Sequence, residues 1–132
     1  KNILISSGPT RSKVELLNST RMLIEKGYNI YSTAGTAKFF KENGIDTQIL
    51  YWPDEDKEPN IMEYLHDRKI DLVINIPKNH TKRELDNGYK IRRAAVDYNI
   101  PLITNARLAS AFIYAICKVD PTEIAIKSWD EY

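Results

Sequence analysis

The chain has 132 residues, the length of a single domain, with 19 Lys and Arg against 18 Asp and Glu. A balance this even lacks the basic excess of a nucleic-acid-binding domain. No stretch approaches the roughly 20 apolar residues of a membrane-spanning helix, and the single cysteine, Cys117, excludes an internal disulfide.

The chain starts directly in the apolar run Ile3-Leu4-Ile5, without an initiator Met, and reads as one domain, residues 1–132, cut from a longer protein. Five short apolar runs follow one another at residues 3–6, 30–32, 47–51, 72–76 and 102–104. Runs such as Leu72-Val73-Ile74 are continuous, as in strands covered on both faces. Between them lie helical patterns. The first carries Val14, Leu17 and Met22 and stops at Lys26-Gly27; the second spans residues 37–42 and stops at Asn43-Gly44. Three more are expected at residues 61–68, 89–98 and 108–118. Strand–helix alternation predicts parallel pairing through crossovers, an α/β three-layer sandwich. Cys117 lies in the last apolar helix and reads as a packed residue.

Two connections exceed the usual length, residues 52–59 and 77–88. Both follow strand ends on the edge where open parallel sheets bind ligands. Ser32-Thr33-Ala34-Gly35-Thr36 joins a strand to a helix on that same edge. Hydroxyls, a glycine and free helix amides suit a phosphate or carboxylate there; a plain N-cap with Thr36 as the capping residue fits equally. Trp52 is either a flat ligand contact or a packed side chain. Asn75, ending an apolar strand, must find polar partners. Lys78, His80, Lys82, Arg83, Arg92 and Arg93 form a charge run that could balance a negatively charged ligand, though such runs are usually a solvated surface. His80 has no second ligand at zinc spacing, and no Walker pattern is present.

The segments Ser32-Thr33-Ala34-Gly35-Thr36-Ala37, Asp71-Leu72-Val73-Ile74-Asn75-Ile76-Pro77, Tyr89-Lys90-Ile91-Arg92-Arg93-Ala94-Ala95-Val96 and Ile100-Pro101-Leu102-Ile103-Thr104-Asn105 resemble the methylglyoxal-synthase-like superfamily, and within it the C-terminal allosteric domain of carbamoyl-phosphate synthase large subunits. The resemblance implies a five-stranded parallel sheet flanked by helices with flavodoxin-like winding. It implies binding of a small anionic effector: a nucleotide such as UMP or IMP, or N-acetylglutamate. Thr33, Gly35 and Thr36 match the family's anion-holding turn, and Asn75 its ligand-contacting Asn. Lys13 falls near a phosphate-contacting Lys. Trp52-Pro53 is similar to the N-acetylglutamate type, as is the loop containing Lys78; Asn87 matches a further ligand contact across a one-residue length difference.

The resemblance implies no cofactor in this domain. The parent's ATP and Mg or Mn belong to other domains, and its partners are those synthetase domains and a glutaminase subunit or domain. The location expected is cytoplasmic, with the mitochondrial matrix as the alternative. Two other readings stand beside it. One is a lyase resembling methylglyoxal synthase and acting on dihydroxyacetone phosphate, although Ser6-Ser7-Gly8-Pro9 stands where that enzyme carries His-Asp. The other is an oligomerisation module with a vestigial pocket.

Overall fold

Residues 72–76 are buried without exception, and Ile3, Leu4 and Ile5 are fully enclosed. Strands with no solvent face need helices on both sides. In the computed structural model, which describes residues 1–8, 10–55, 57–77 and 81–118, that requirement is met. The order is β1 (Asn2–Ser7), α1 (Thr10–Glu25), β2 (Asn29–Ser32), α2 (Ala34–Glu42), β3 (Gln48–Ile49), α3 (Ile61–His66), β4 (Leu72–Ile76), α4 (Lys82–Asp97), β5 (Leu102–Ile103) and α5 (Ala106–Lys118). Ile3, Ile5, Leu72 and Ile74 pack with Leu16, Phe40 and Ile113 of α1, α2 and α5. Leu4 and Val73 point the other way, onto Ile61, Leu65 and Ile91 of α3 and α4. Alternation along the strands thus assigns each helix to a layer.

All strand pairs are parallel, in the order β3-β2-β1-β4-β5. The parallel three-layer expectation holds. The flavodoxin-like winding, order 2-1-3-4-5, does not: β3 lies outside β2 instead of beside β1. The two residues of β3, Gln48 and Ile49, are exposed, which suits an edge strand and not a seat inside the sheet. The expected strand at 47–51 shrinks accordingly, and Tyr51 makes only an isolated parallel bridge to Asn60.

Helix ends follow local chemistry. Gly27, at φ 90°, ends α1, with Gly27 N–H bonded to Ile24 O (3.0 Å) and Tyr28 N–H to Leu23 O (3.0 Å). Gly44, at φ 81°, closes α2 in the same way. This paired closure satisfies the last carbonyls and needs a left-handed residue, which glycine adopts without strain. Asn105 opens α5 two residues before the expected start, its Oδ1 accepting from Leu108 N–H at 3.0 Å.

The largest departure is α4. It starts at Lys82, about two turns before the expected Tyr89, so most of the expected second long loop is helix. Thr81 caps it, its hydroxyl accepting from Glu84 N–H at 3.1 Å. Asn87, Ile91, Ala94 and Ala95 then form one buried face. No helix among the described residues is long and apolar enough to cross a membrane.

Thr81→Ala is expected to lower stability by about 1 kcal/mol and to increase amide exchange over residues 82–85 selectively. Uniform protection across α4 in the variant would show that tertiary packing alone fixes its start.

Candidate functional site

The strand order reverses between β1 and β4. β1 leads outward to β2 and β3, and β4 and β5 lie on its other side. Connections leaving β1 and β4 therefore diverge, opening a crevice at their carboxyl ends. Ser6 pairs with Asn75 and Ser7 with Ile76, and Gly8 N–H bonds Ile76 O at 3.0 Å. A cavity of about 340 Å³ opens above them, within the usual range of small-molecule sites.

The β2–α2 turn supplies one wall. Thr33, not Thr36, is the N-cap of α2, and its side chain makes no capping bond. The first-turn amides of Ala34 and Gly35 are thus left without a capping partner, at the positive end of the helix. A Cβ built on Gly35 would meet nothing within 4 Å, so the backbone there faces open space. Thr36 is 1% exposed and acts as a tie: Ser7 N–H donates to its Oγ1 at 3.1 Å, and Thr33 Oγ1 lies 3.3 Å away.

The opposite wall comes from α4. Asn75, 4% exposed, accepts from Arg92 Nη1 at 2.7 Å. Gly88, one turn earlier, makes room for that guanidinium: a Cβ at Gly88 would stand 2.9 Å from Arg92 Nη1. Arg92 lines the cavity and has no carboxylate partner among the described residues. Its charge is held by a neutral amide and remains available to an anion.

The third side is the segment after β3. Trp52 is half-buried on the cavity, with Arg83 Cζ 5.0 Å from its ring centre. Arg83 grips Asp54 with two bonds, Nε at 2.6 Å and Nη2 at 3.1 Å. Asn87 adds a double link: Asp54 N–H donates to its Oδ1 (3.1 Å), and its Nδ2 donates to Arg83 O (2.9 Å). The Arg83 contact, then that of Asn87, holds the Asp54 carboxyl below the usual carboxylate range.

Of the residues expected to bind, Thr33, Gly35, Thr36, Trp52, Asn75 and Lys13 line this cavity together. Asn87 does not; it is 2% exposed and joins the 52–55 segment to α4. Lys78 and His80 lie outside the described residues. Sequence reasoning missed Ser7, Glu55 and Glu84 as cavity residues, and favoured a solvated surface for Arg83 and Arg92, which line it. The Thr81-Lys82-Arg83-Glu84 run is a helix-start signal that would have set the phase of α4 and turned Arg92 inward. Cys117 is 6% exposed in the α1–α2–α5 core, and burial raises its thiol pKa.

Residues 15–104 match the family model of the MGS-like domain. The chain is 42% identical over 125 residues to Multifunctional protein ura1 of Schizosaccharomyces pombe, an alignment covering 89% of this chain and 6% of that protein. It is 39% identical over 121 residues to the Carbamoyl phosphate synthase large chain, C-terminal section, of Methanocaldococcus jannaschii, covering 92% and 19% respectively. Among solved structures, methylglyoxal synthase from Elizabethkingia anophelis superposes with a TM-score of 0.61 at 18% identity, over 86% of this chain and 76% of that one. At that identity the likeness is one of fold. The chain spans 6% of the length of the first two curated relatives it matches.

Two outcomes follow from this geometry. Gly88→Ala is expected to keep or raise the melting temperature, since Ala in a helix interior is favoured by about 0.5–1 kcal/mol. It also displaces Arg92 and weakens anion binding; a fall in stability with binding intact would contradict the assigned role. The lowered Asp54 carboxyl stabilises the fold above its unfolded pKa of about 3.9 and loses that contribution as pH falls through its folded value. Trp52 emission, read in a Trp129→Phe background, is expected to be flat from pH 5 to 8 and to change below about 4. In Asp54→Asn the acid change disappears.

Proposed function

The chain belongs to the MGS-like domain family, and on that premise we propose that it is the effector-binding regulatory domain of a carbamoyl-phosphate synthase large chain, without catalysis of its own. The observation that carries this reading is the cavity at the β1–β4 switch point, where the uncapped start of α2 faces the same space as Arg92. Free helix amides and a guanidinium suit a phosphate or carboxylate. The names of the relatives support the parent: one archaeal match is itself a C-terminal section of a carbamoyl phosphate synthase large chain.

In this reading an anionic effector, a nucleotide or N-acetylglutamate, binds between α2 and α4. It biases the parent by binding its active and inactive states unequally. Trp52 covers the ligand and Asn75 orients Arg92 toward it. The synthetase domains of the same chain receive the signal and hold the ATP and Mg or Mn. A glutaminase subunit or domain supplies ammonia, and the product serves pyrimidine and arginine synthesis in the cytoplasm.

The second reading, a lyase acting on dihydroxyacetone phosphate, draws on Glu55 and Glu84, carboxylates that line the cavity and are of the type such proton abstraction uses. Both are tested on the same preparation. Isothermal titration with UMP, IMP and N-acetylglutamate is expected to give binding by at least one, weakened about 10–100-fold in Arg92→Ala. Incubation with dihydroxyacetone phosphate is expected to yield no methylglyoxal above a no-protein control. Methylglyoxal production would replace the regulatory reading with the lyase.

A further inference from the structure

One side of α4 is spent on the core through Asn87, Ile91, Ala94 and Ala95. The other side carries Leu85, Tyr89 and Val96, which are 43%, 50% and 63% exposed. At about 100° per residue these three fall within an arc of about 40° and run about 16 Å along the helix. No other element among the described residues exposes three large apolar side chains. Single exposed apolar residues are ordinary; three aligned on one helix face mark a contact surface.

The charges beside the stripe identify what covers it. Lys82, Asp86, Arg93 and Asp97 are all exposed, and helical phase puts all four on the same flank of the stripe. Lys90 lies farther round than any of them. The signs run basic, acidic, basic, acidic, at spacings of four, seven and four residues. Reversed end to end, that pattern keeps its spacing and inverts its signs. When two copies of a helix pair antiparallel about a two-fold axis, the same flank meets itself in reverse order. Lys82 then stands against the partner's Asp97, and Asp86 against the partner's Arg93. The apolar stripe takes the same register, with Leu85 opposite the partner's Val96 and the two Tyr89 rings beside the axis. Arg92, on the other side of the stripe, turns inward, its Nη1 2.7 Å from Asn75 Oδ1. A nucleic acid or an anionic membrane, with charge of one sign, would be repelled by Asp86 and Asp97.

We propose that this face of α4 is the seam of a symmetric dimer, in which it pairs antiparallel with α4 of a second copy of this chain. A face of this size makes a weak, reversible pair. The proposal is independent of what occupies the cavity.

Sedimentation velocity of the chain at low ionic strength, from about 10 µM to about 1 mM, is expected to show a reversible monomer–dimer equilibrium. Val96→Asp weakens it at least about tenfold and leaves the thermal melt unchanged, because Val96 is exposed in the single chain. Asp86→Arg and Arg93→Asp each weaken the dimer, since each sets like charges against one another twice. An equal mixture of those two variants recovers it, because the two arginines of one variant then face the two aspartates of the other. Thermal melts verify that both variants fold. A chain that stays monomeric across the range overturns the proposal and leaves the face to another domain of the parent. A dimer indifferent to Val96→Asp or to the charge substitutions, or a mixture that sediments no faster than either variant alone, overturns it too.

Discussion

The parallel pairing of β1 with β4 is the constraint from which the site follows. Its register sets Ser6 against Asn75 and Ser7 against Ile76, and these strand ends form the floor of the cavity. A slip of one residue would turn every side chain of β4 to the opposite layer, moving Asn75 away from Arg92. The buried pattern forbids that slip, because Val73 and Ile74 serve different cores. The hydrophobic layers that fix the sheet thereby also fix the polar geometry at its edge.

The walls above that floor are attached with unequal firmness. The β2–α2 turn is tied to β1 through the buried Thr36 hydroxyl. The 52–55 segment is tied to α4 by the Asp54–Arg83 pair and by Asn87. The ion pair is conspicuous but partly solvated, and such pairs contribute little. The Asn87 amide is buried, and leaving a buried amide unpaired costs about 1–3 kcal/mol. Asn87 is therefore the hinge pin of that wall and Arg83 its outer clasp. A residue that resembled a ligand contact in sequence is placed to hold the cavity wall together.

What could be read from the sequence depended on whether the cause was local. Gly27 and Gly44 announce helix ends because glycine takes the left-handed conformation without strain. Arg68 and Asn99 end α3 and α4 in the same conformation, at φ 55° and 56°, with no glycine to announce them. The parallel sheet was legible from continuous apolar runs. Its strand order was not, because the seat of β3 outside β2 is decided by how two exposed residues meet the sheet edge. That the β2–α2 turn faces the cavity was legible from Thr33, Gly35 and Thr36, whose chemistry is contiguous. Arg92 was not, because its neighbour Asn75 is 17 positions away and the phase of α4 has to be known before the two can be brought together. Gly88, read as a loop residue, concealed that phase.

Cys117 has a use that its burial creates. It is the single thiol of the chain, packed against the α1–α2–α5 core, while the cavity opens at the carboxyl ends of β1 and β4. A reagent reaches it only when that layer parts, so the alkylation rate of the native protein reports the free energy of local opening. The chain thus carries its own reporter for whether occupancy at the sheet edge tightens the remote helical layer. It does so without any engineered label.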